Sequence, residues 1–274
     1  MNYWTNSGQL PVTMHAGEVF RLRIPESVGA NRFLSSNAYV VSVLQNGKLI
    51  ANGPGFTEIR ILRDDDLRYL LSVDVLPGER TYPVLFNRYN EVNVPADSLV
   101  SLDSARTRGG KALYAAQSLI PALEALCAEA AAQGLYVHVS QGYRSVGLQM
   151  QRIQRRIERE GEQKALRRCA PPRFSEHHTG LALDVGGGRI TPEGLVPDKH
   201  AVYDWIAENA WKFGFMIKNL PGREHITGTM HEPWHIRWLG DPALAERLYR
   251  EDLTLDEYLD QNLPVARVLD LPVP

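Results

Sequence analysis

The strongest constraint on the fold is a change in sequence pattern between residues 77 and 99. Before it, runs of about four to eight apolar and β-branched residues alternate with polar turns such as Gln45-Asn46-Gly47, which is typical of a small all-β sandwich. The predicted strands lie at 19–24, 38–44, 58–62 and 69–76. Nothing in this region has catalytic spacing, so we expect a spacer or docking module.

After residue 99 the pattern changes to helices joined by single strands. Residues 121–134 begin with a proline, continue with strong helix formers and end in a glycine, which predicts a helix. The remaining predicted elements are a strand at 136–139 and helices at 147–160, 202–213 and 241–249. Because strands and helices interleave without a βαβ rhythm, we expect an α+β domain rather than a doubly wound sheet.

Composition excludes several classes of function. The 274 residues include 30 Lys and Arg against 32 Asp and Glu, so no strong positive field draws the chain to nucleic acid. Cys127 and Cys169 are too few for a four-thiolate zinc site, so a metal here must use histidines and carboxylates. No segment approaches the roughly 20 apolar residues of a membrane helix, and the first residues lack the features of a secretory signal. We therefore expect a soluble globular chain.

Two short segments carry the residue types of a metal centre. In the first, His177 and Asp184 lie on either side of a turn, and the alternation around Ala182 predicts a buried strand with space beside Asp184. In the second, Glu232 and His235 are close enough to line one pocket. Two imidazoles and one carboxylate are a recurring ligand set for catalytic zinc, which leaves the other carboxylate free to take a proton from water.

Two simpler interpretations of these segments remain open. In the first interpretation, Asp184 only caps a turn formed by the glycines at 186–188. In the second, Glu232 only pairs with Arg237 at the surface.

Several motifs occur in an order that is specific to one family. The matching pieces are residues 85–90 (Leu-Phe-Asn-Arg-Tyr-Asn), 142–145 (Gly-Tyr-Arg-Ser) with Gln149, 175–184, 214–215, 226–228 and 232–235 (Glu-Pro-Trp-His). In these pieces the chain resembles the VanY-type zinc D-alanyl-D-alanine carboxypeptidases of bacterial cell-wall metabolism, which include the LdcB-type L,D-carboxypeptidases. The resemblance covers residues 85–240 and implies a hedgehog/DD-peptidase-like α+β domain, in which helices pack on a small antiparallel sheet.

The N-terminal region resembles a different class of module. The order of its predicted strands is similar to that of bacterial Ig-like (group 2) modules of wall proteins and adhesins, over about 70 residues. We therefore expect two domains: an all-β Ig-like module at residues 1–78, and a zinc carboxypeptidase domain with a C-terminal helical extension at residues 79–274.

The family resemblance implies a role for each motif residue. It implies that His177, Asp184 and His235 hold one Zn²⁺, and that Glu232 is the general base that activates the attacking water. Arg144 matches the arginine that steadies the scissile carbonyl as it becomes an oxyanion. The positions that fall near the substrate are Tyr143, Gln149 and Ser175.

The implied activity is zinc-dependent hydrolysis of the C-terminal D-Ala from peptidoglycan stem peptides. An L,D-carboxypeptidase that converts tetrapeptide to tripeptide stems stays open, because the two activities cut neighbouring bonds with the same chemistry. A D-Ala-D-Ala dipeptidase and a non-catalytic, zinc-containing wall-binding module stay open as well. The implied partners are stem peptides, with a wall or protein partner for the Ig-like module and no nucleic acid. The implied location is the cell envelope or the extracellular space.

Overall fold

The computed structural model describes residues 9–30, 32–92 and 94–273. The strands are β1 (Gln9–His15), β2 (Val19–Arg23), β3 (Arg32–Ser35), β4 (Val41–Val43), β5 (Lys48–Ala51), β6 (Gly55–Arg63), β7 (Asp66–Leu76), β8 (Leu99–Ser101), β9 (Tyr114–Ala116), β10 (Leu135–Gln141), β11 (Ala182–Thr191), β12 (Gly194–Pro197), β13 (Phe215–Ile217), β14 (His235–Trp238) and β15 (Arg267–Asp270).

The α-helices are α1 (Ile120–Ala132), α2 (Val146–Glu160), α3 (Glu162–Arg168), α4 (Lys199–Asn209), α5 (Glu224–Thr227), α6 (Pro242–Glu251) and α7 (Leu255–Asn262). Short 3₁₀ turns lie at Ser104–Arg106, Arg108–Gly110, Gln117–Leu119, Glu176–Thr179 and Ala210–Phe213. Within the described ranges, no helix combines the length and the apolar character that crossing a membrane requires.

The chain divides into two compact units. One contains the described residues up to Val92 together with those from Asp256 onward, and the other spans residues 93–255. This division differs from the predicted one, which ended the first domain at residue 78 and gave the C-terminal residues to the second. The C-terminal segment lies in the first unit because β15 pairs in parallel with β2. The buried ammonium of Lys48 also donates hydrogen bonds to backbone carbonyls at the end of α7.

The first unit consists of two four-stranded sheets, with strand orders β1-β7-β6-β3 and β15-β2-β5-β4. Their apolar side chains form one core, which includes Phe20, Leu49, Ile61 and Leu71. The predicted turn between β4 and β5 is present, and Gly47 supplies its positive φ of 82°. The all-β character of this region is confirmed, while its Ig-like identity stays a prediction.

The second unit is built on an antiparallel sheet with the order β10-β11-β14-β13, and β12 pairs with the outer part of β11. Alternate residues of the central strands, such as Leu183, Val185 and Ile236, pack against α1 and α4 in one core. The residues between them face the opposite side of the sheet, as side chains on strands must. This architecture confirms the predicted α+β class.

The helices of the second unit follow the sequence pattern closely. The predictions at 121–134, 147–160 and 241–249 correspond to α1, α2 and α6, and Asp241 caps α6 by accepting hydrogen bonds from two backbone amides. The predicted helix at 202–213 is α4 followed by a 3₁₀ turn, so it begins three residues earlier than expected.

A glycine is required where the 3₁₀ turn Glu176–Thr179 meets β11. Gly180 has a φ of +74°, and a Cβ at this position would lie 2.8 Å from Leu99 Cδ2 and 2.9 Å from the amide nitrogen of Ala116. An L side chain is therefore excluded both by the backbone conformation and by its neighbours.

We expect Gly180→Ala to lower the free energy of unfolding by about 1–3 kcal/mol, because the new methyl group meets backbone atoms in a left-handed conformation. Urea denaturation of the purified variant measures this. The matched control is Gly147→Ala in the first turn of α2, where an added Cβ has no heavy atom within 4 Å. The control should be neutral or stabilising by up to about 1 kcal/mol. Equal effects of the two changes would contradict the argument.

Candidate functional site

The site begins with a pair of residues directly opposite each other on neighbouring strands. In the antiparallel register of β11 and β14, Asp184 faces His235 and Ala182 faces Arg237. The Nδ1 atom of His235 lies 3.0 Å from Oδ1 of Asp184. The pairing therefore places one carboxylate and one imidazole together on the face of the sheet opposite the core.

The 3₁₀ turn Glu176–Thr179 brings the second imidazole to this face. His177 Nδ1 donates to the carbonyl of Gly142 at 2.8 Å, and its Nε2 lies 3.3 Å from Asp184 Oδ1. The backbone amide of Arg144 donates to the carbonyl of His177 at 3.0 Å. Both the side chain and the backbone of His177 are therefore hydrogen-bonded to the loop after β10. The His177 ring is thus held with Nε2 toward the carboxylate.

These three residues form a group that fits one zinc ion. Their donor atoms all lie within 4.8 Å of one another, and all three side chains are buried. Burial, reinforced by the charge of Arg144, lowers the pKa of His177 to about 4, so the ring is neutral near pH 7. The Nε2 lone pair of His177 then faces Oδ1 of Asp184. Both atoms are acceptors, and a bound cation would satisfy them. A set of two imidazoles and one carboxylate is typical of catalytic zinc.

The interpretation of Asp184 as a cap for a glycine turn is wrong, because Gly186, Gly187 and Gly188 continue strand β11. The carboxylate of Asp184 faces the two histidines instead. Burial would raise its pKa, but its interactions with the two histidines hold that pKa well below the ordinary value.

The other nitrogen of His235 contacts a residue that the sequence motifs did not assign to the site. His235 Nε2 lies 3.1 Å from Oε2 of Glu176, and Arg237 Nη1 donates to Oε1 of the same carboxylate at 3.1 Å. Burial alone would raise the pKa of Glu176, but the charge of Lys218 and the contacts with His235 and Arg237 hold it at about 2.

The interpretation that Glu232 pairs with Arg237 at the surface is therefore wrong, because Arg237 is buried against Glu176. A signal for Glu176 existed in the sequence. A carboxylate directly before a ligand histidine on a short turn lies within reach of the same pocket.

Glu232 lies in the loop before β14, close to the metal-binding group. Its Oε2 accepts a hydrogen bond from Asn219 Nδ2 at 2.9 Å, and its carbonyl accepts one from the amide of His235 at 3.0 Å. Burial, with a contribution from the charge of Asp184, raises the pKa of Glu232. The sequence did not point to Asn219, whose position becomes evident only when β13 and β14 pair.

Arg144 lies beside Asp184, one of the candidate ligands. Its Nη1 donates to Gln149 Oε1 at 2.6 Å, and its Nη2 lies 4.0 Å from Asp184 Oδ2. Burial, together with the charge of Arg152, lowers the pKa of Arg144 to about 10, which leaves the guanidinium charged at neutral pH. Gln149 is anchored in turn by a bond of 2.6 Å to the carbonyl of Ala170. In this structure Gln149 orients Arg144.

Tyr143 and Ser175 flank these groups. Tyr143 is half-buried and its amide donates to the carbonyl of Tyr114 at 2.6 Å, while the carbonyl of the buried Ser175 accepts from the amide of His178 at 3.0 Å. Contacts of Tyr143, Gln149 and Ser175 with substrate stay predictions. His178 uses both ring nitrogens on backbone groups of Arg144 and Arg173 and faces away from the ligands.

The chain is similar to D-alanyl-D-alanine carboxypeptidases both in its match to a family model and in its match to an individual protein. Residues 112–241 match the VanY family model, described as D-alanyl-D-alanine carboxypeptidase. The chain is 32% identical over 186 residues to a D-alanyl-D-alanine carboxypeptidase of Enterococcus faecalis, and the match covers 65% of either protein. The chain thus spans slightly less than two thirds of that relative.

Two solved structures are also similar. One is a vancomycin-resistance D,D-pentapeptidase VanY in complex with Zn(II), at 30% identity and a TM-score of 0.55, over 64% of this chain and 97% of that one. The other is the LdcB LD-carboxypeptidase, at 30% identity and a TM-score of 0.56, over 67% of this chain and 86% of that one.

We expect zinc binding to the metal-free protein at pH 7 to release about one proton, because ligands must be deprotonated. Burial opposes protonation of His235, but hydrogen bonds to Asp184 and Glu176 raise its pKa to about 10, so its ring holds both protons at pH 7. His177 is already neutral and releases none. Titration calorimetry in buffers of different ionisation enthalpy measures the number released. A binding enthalpy independent of the buffer would contradict this assignment.

Proposed function

The chain belongs to the VanY family of D-alanyl-D-alanine carboxypeptidases, and we propose that it hydrolyses the C-terminal D-Ala from peptidoglycan stem peptides. The observation that carries this proposal is the buried group of His177, Asp184 and His235, with Glu232 and Arg144 beside it. A site that only stabilises the fold needs neither a base nor an arginine next to its ligands. Their presence argues against a non-catalytic wall-binding module.

Each residue has a distinct part in the proposed reaction. When bound, zinc polarises the scissile carbonyl and makes water acidic enough to give up a proton near neutral pH. Glu232 takes that proton and returns it to the departing D-alanine amine. Its raised pKa suits this exchange, because a base works best when its pKa is near the working pH. Asn219 holds one oxygen of Glu232 and leaves the other for the water.

Arg144 stabilises the negative charge that develops on the carbonyl oxygen. A guanidinium that is already oriented by Gln149 needs no reorganisation when that charge appears. The low exposure of Arg144 strengthens the interaction, because few water molecules screen it. The reaction needs no covalent intermediate, so no serine or cysteine nucleophile is required.

The proposal also specifies which peptide bond of the stem is cut. The match to the D-alanyl-D-alanine carboxypeptidase family favours the D,D activity on pentapeptide stems. The L,D activity on tetrapeptide stems is the second candidate, since the LdcB structure is as similar to this chain as the VanY structure is. Either substrate places the protein at the cell envelope, where the N-terminal β unit would contact the wall or a partner protein.

The test is mass spectrometry of muropeptides that end in D-Ala-D-Ala and in a single D-Ala, incubated together with the zinc-loaded protein. We expect loss of one alanine from the pentapeptide alone, and no loss when a chelator is added. Loss from the tetrapeptide would assign the L,D activity instead. No zinc-dependent loss from either peptide would contradict the proposed function.

We expect Glu232→Gln to lower kcat by about 10²–10⁴-fold, because the amide cannot accept the proton of the attacking water. Steady-state release of D-alanine measures the effect, and the zinc content of the variant is determined in parallel. The control is Glu193→Gln, an exposed carboxylate on the turn between β11 and β12, which should leave kcat unchanged. Full activity in a zinc-loaded Glu232→Gln protein would rule out this residue as the base.

A further inference from the structure

The carboxylate of Glu176 is buried, and its two oxygens make two different contacts. Oε2 lies 3.1 Å from His235 Nε2, and Oε1 accepts from Arg237 Nη1 at 3.1 Å. The side chains of Glu176 and Arg237 are 5% and 3% exposed, so water competes for neither contact. The carboxylate is therefore clamped between a candidate metal ligand and a guanidinium.

This clamp determines which nitrogen of His235 is available to a metal. An ionised carboxylate only accepts hydrogen bonds, so the His235 nitrogen that faces Glu176 must carry a proton. Nδ1, on the other side of the ring, lies 3.0 Å from Oδ1 of Asp184, another candidate ligand. Among the described residues, Glu176 is not a member of the group of His177, Asp184 and His235, so it acts on a ligand rather than as one.

We propose that Glu176 is a positioning residue of the zinc site: held by Arg237, it keeps the proton of His235 on Nε2 and directs Nδ1 to the metal. The inference rests on the proposed zinc enzyme. Carboxylates that hold the second nitrogen of a ligand histidine typically raise metal affinity by fixing the orientation and tautomer of the ring.

The 3₁₀ turn Glu176–Thr179 and strand β14 each position a metal ligand that belongs to the other. The 3₁₀ turn supplies the ligand His177 and, one residue earlier, the carboxylate that orients His235. Strand β14 supplies the ligand His235 and, two residues later on the same face, the guanidinium that holds this carboxylate. Each segment thus contributes one ligand and one group that positions the other segment.

The test is the zinc affinity of Glu176→Gln, measured by competition with a chromophoric chelator and without any peptide. We expect the dissociation constant for zinc to rise about 10–100-fold, since glutamine has the same shape but a single acceptor oxygen for two donors. An unchanged zinc affinity in a folded variant would overturn the proposal.

The matched control is Glu160→Gln. Glu160 has a 10% exposed side chain and also bridges two cations, Arg156 at 2.9 Å and Arg168 at 3.5 Å, but it contacts no candidate ligand. We expect this control to leave the zinc affinity unchanged. An equal loss of affinity in both variants would show that Glu176 has only a general structural role.

Nitrogen-15 NMR of the zinc-loaded wild-type protein supplies a second readout. We expect His235 to show a metal-bound Nδ1 and a protonated Nε2, and zinc on Nε2 would overturn the proposal. If Glu176→Gln does not fold, the zinc affinity of Glu176→Asp is measured instead. This change keeps the negative charge but shortens the side chain that reaches His235. A wild-type protein that binds zinc tightly but cleaves no muropeptide would contradict the proposed activity and leave this inference standing.

Discussion

The site depends on the pairing of two strands. The register of β11 and β14 sets Asp184 opposite His235, and a shift of either strand by one residue would turn its side chain of this pair into the core. In its place Leu183 or Ile236, which now pack in the core, would face the pocket. The apolar residues that hold the sheet against α1 and α4 therefore also determine where the carboxylate and imidazole meet.

Burial gives this pairing its chemical consequences. The three candidate ligands and their neighbours have few water molecules around them, so charges and hydrogen bonds act at high strength. The same environment moves the pKa of His177 down to about 4 and that of His235 up to about 10, although both are histidines facing one aspartate. Burial lowers the pKa of both rings, and the charge of Arg144 lowers that of His177 further, whereas hydrogen bonds to the two carboxylates of Asp184 and Glu176 raise that of His235.

Much of the site could be predicted from the sequence because it depends on local spacing. Alternation along a strand placed Ala182 and Asp184 on one face, and the short distance between Glu232 and His235 placed them in one pocket. The contacts of Glu176 with Arg237 and of Asn219 with Glu232 could not be predicted, because they depend on which distant residues lie opposite each other. The two simpler interpretations, a cap for Asp184 and a surface ion pair for Glu232, were wrong for the same reason.

The sequence by itself determined the α+β class, the all-β N-terminal region, most helix positions and the family motifs, since these follow from local propensity, periodicity and spacing. Only the tertiary structure decided that the C-terminal strand completes the N-terminal unit, through parallel pairing with β2. It also decided that Arg237 faces Glu176 and that Gln149 holds Arg144. Such contacts join residues that the local pattern does not relate, and they form only when burial removes the competing hydrogen bonds to water.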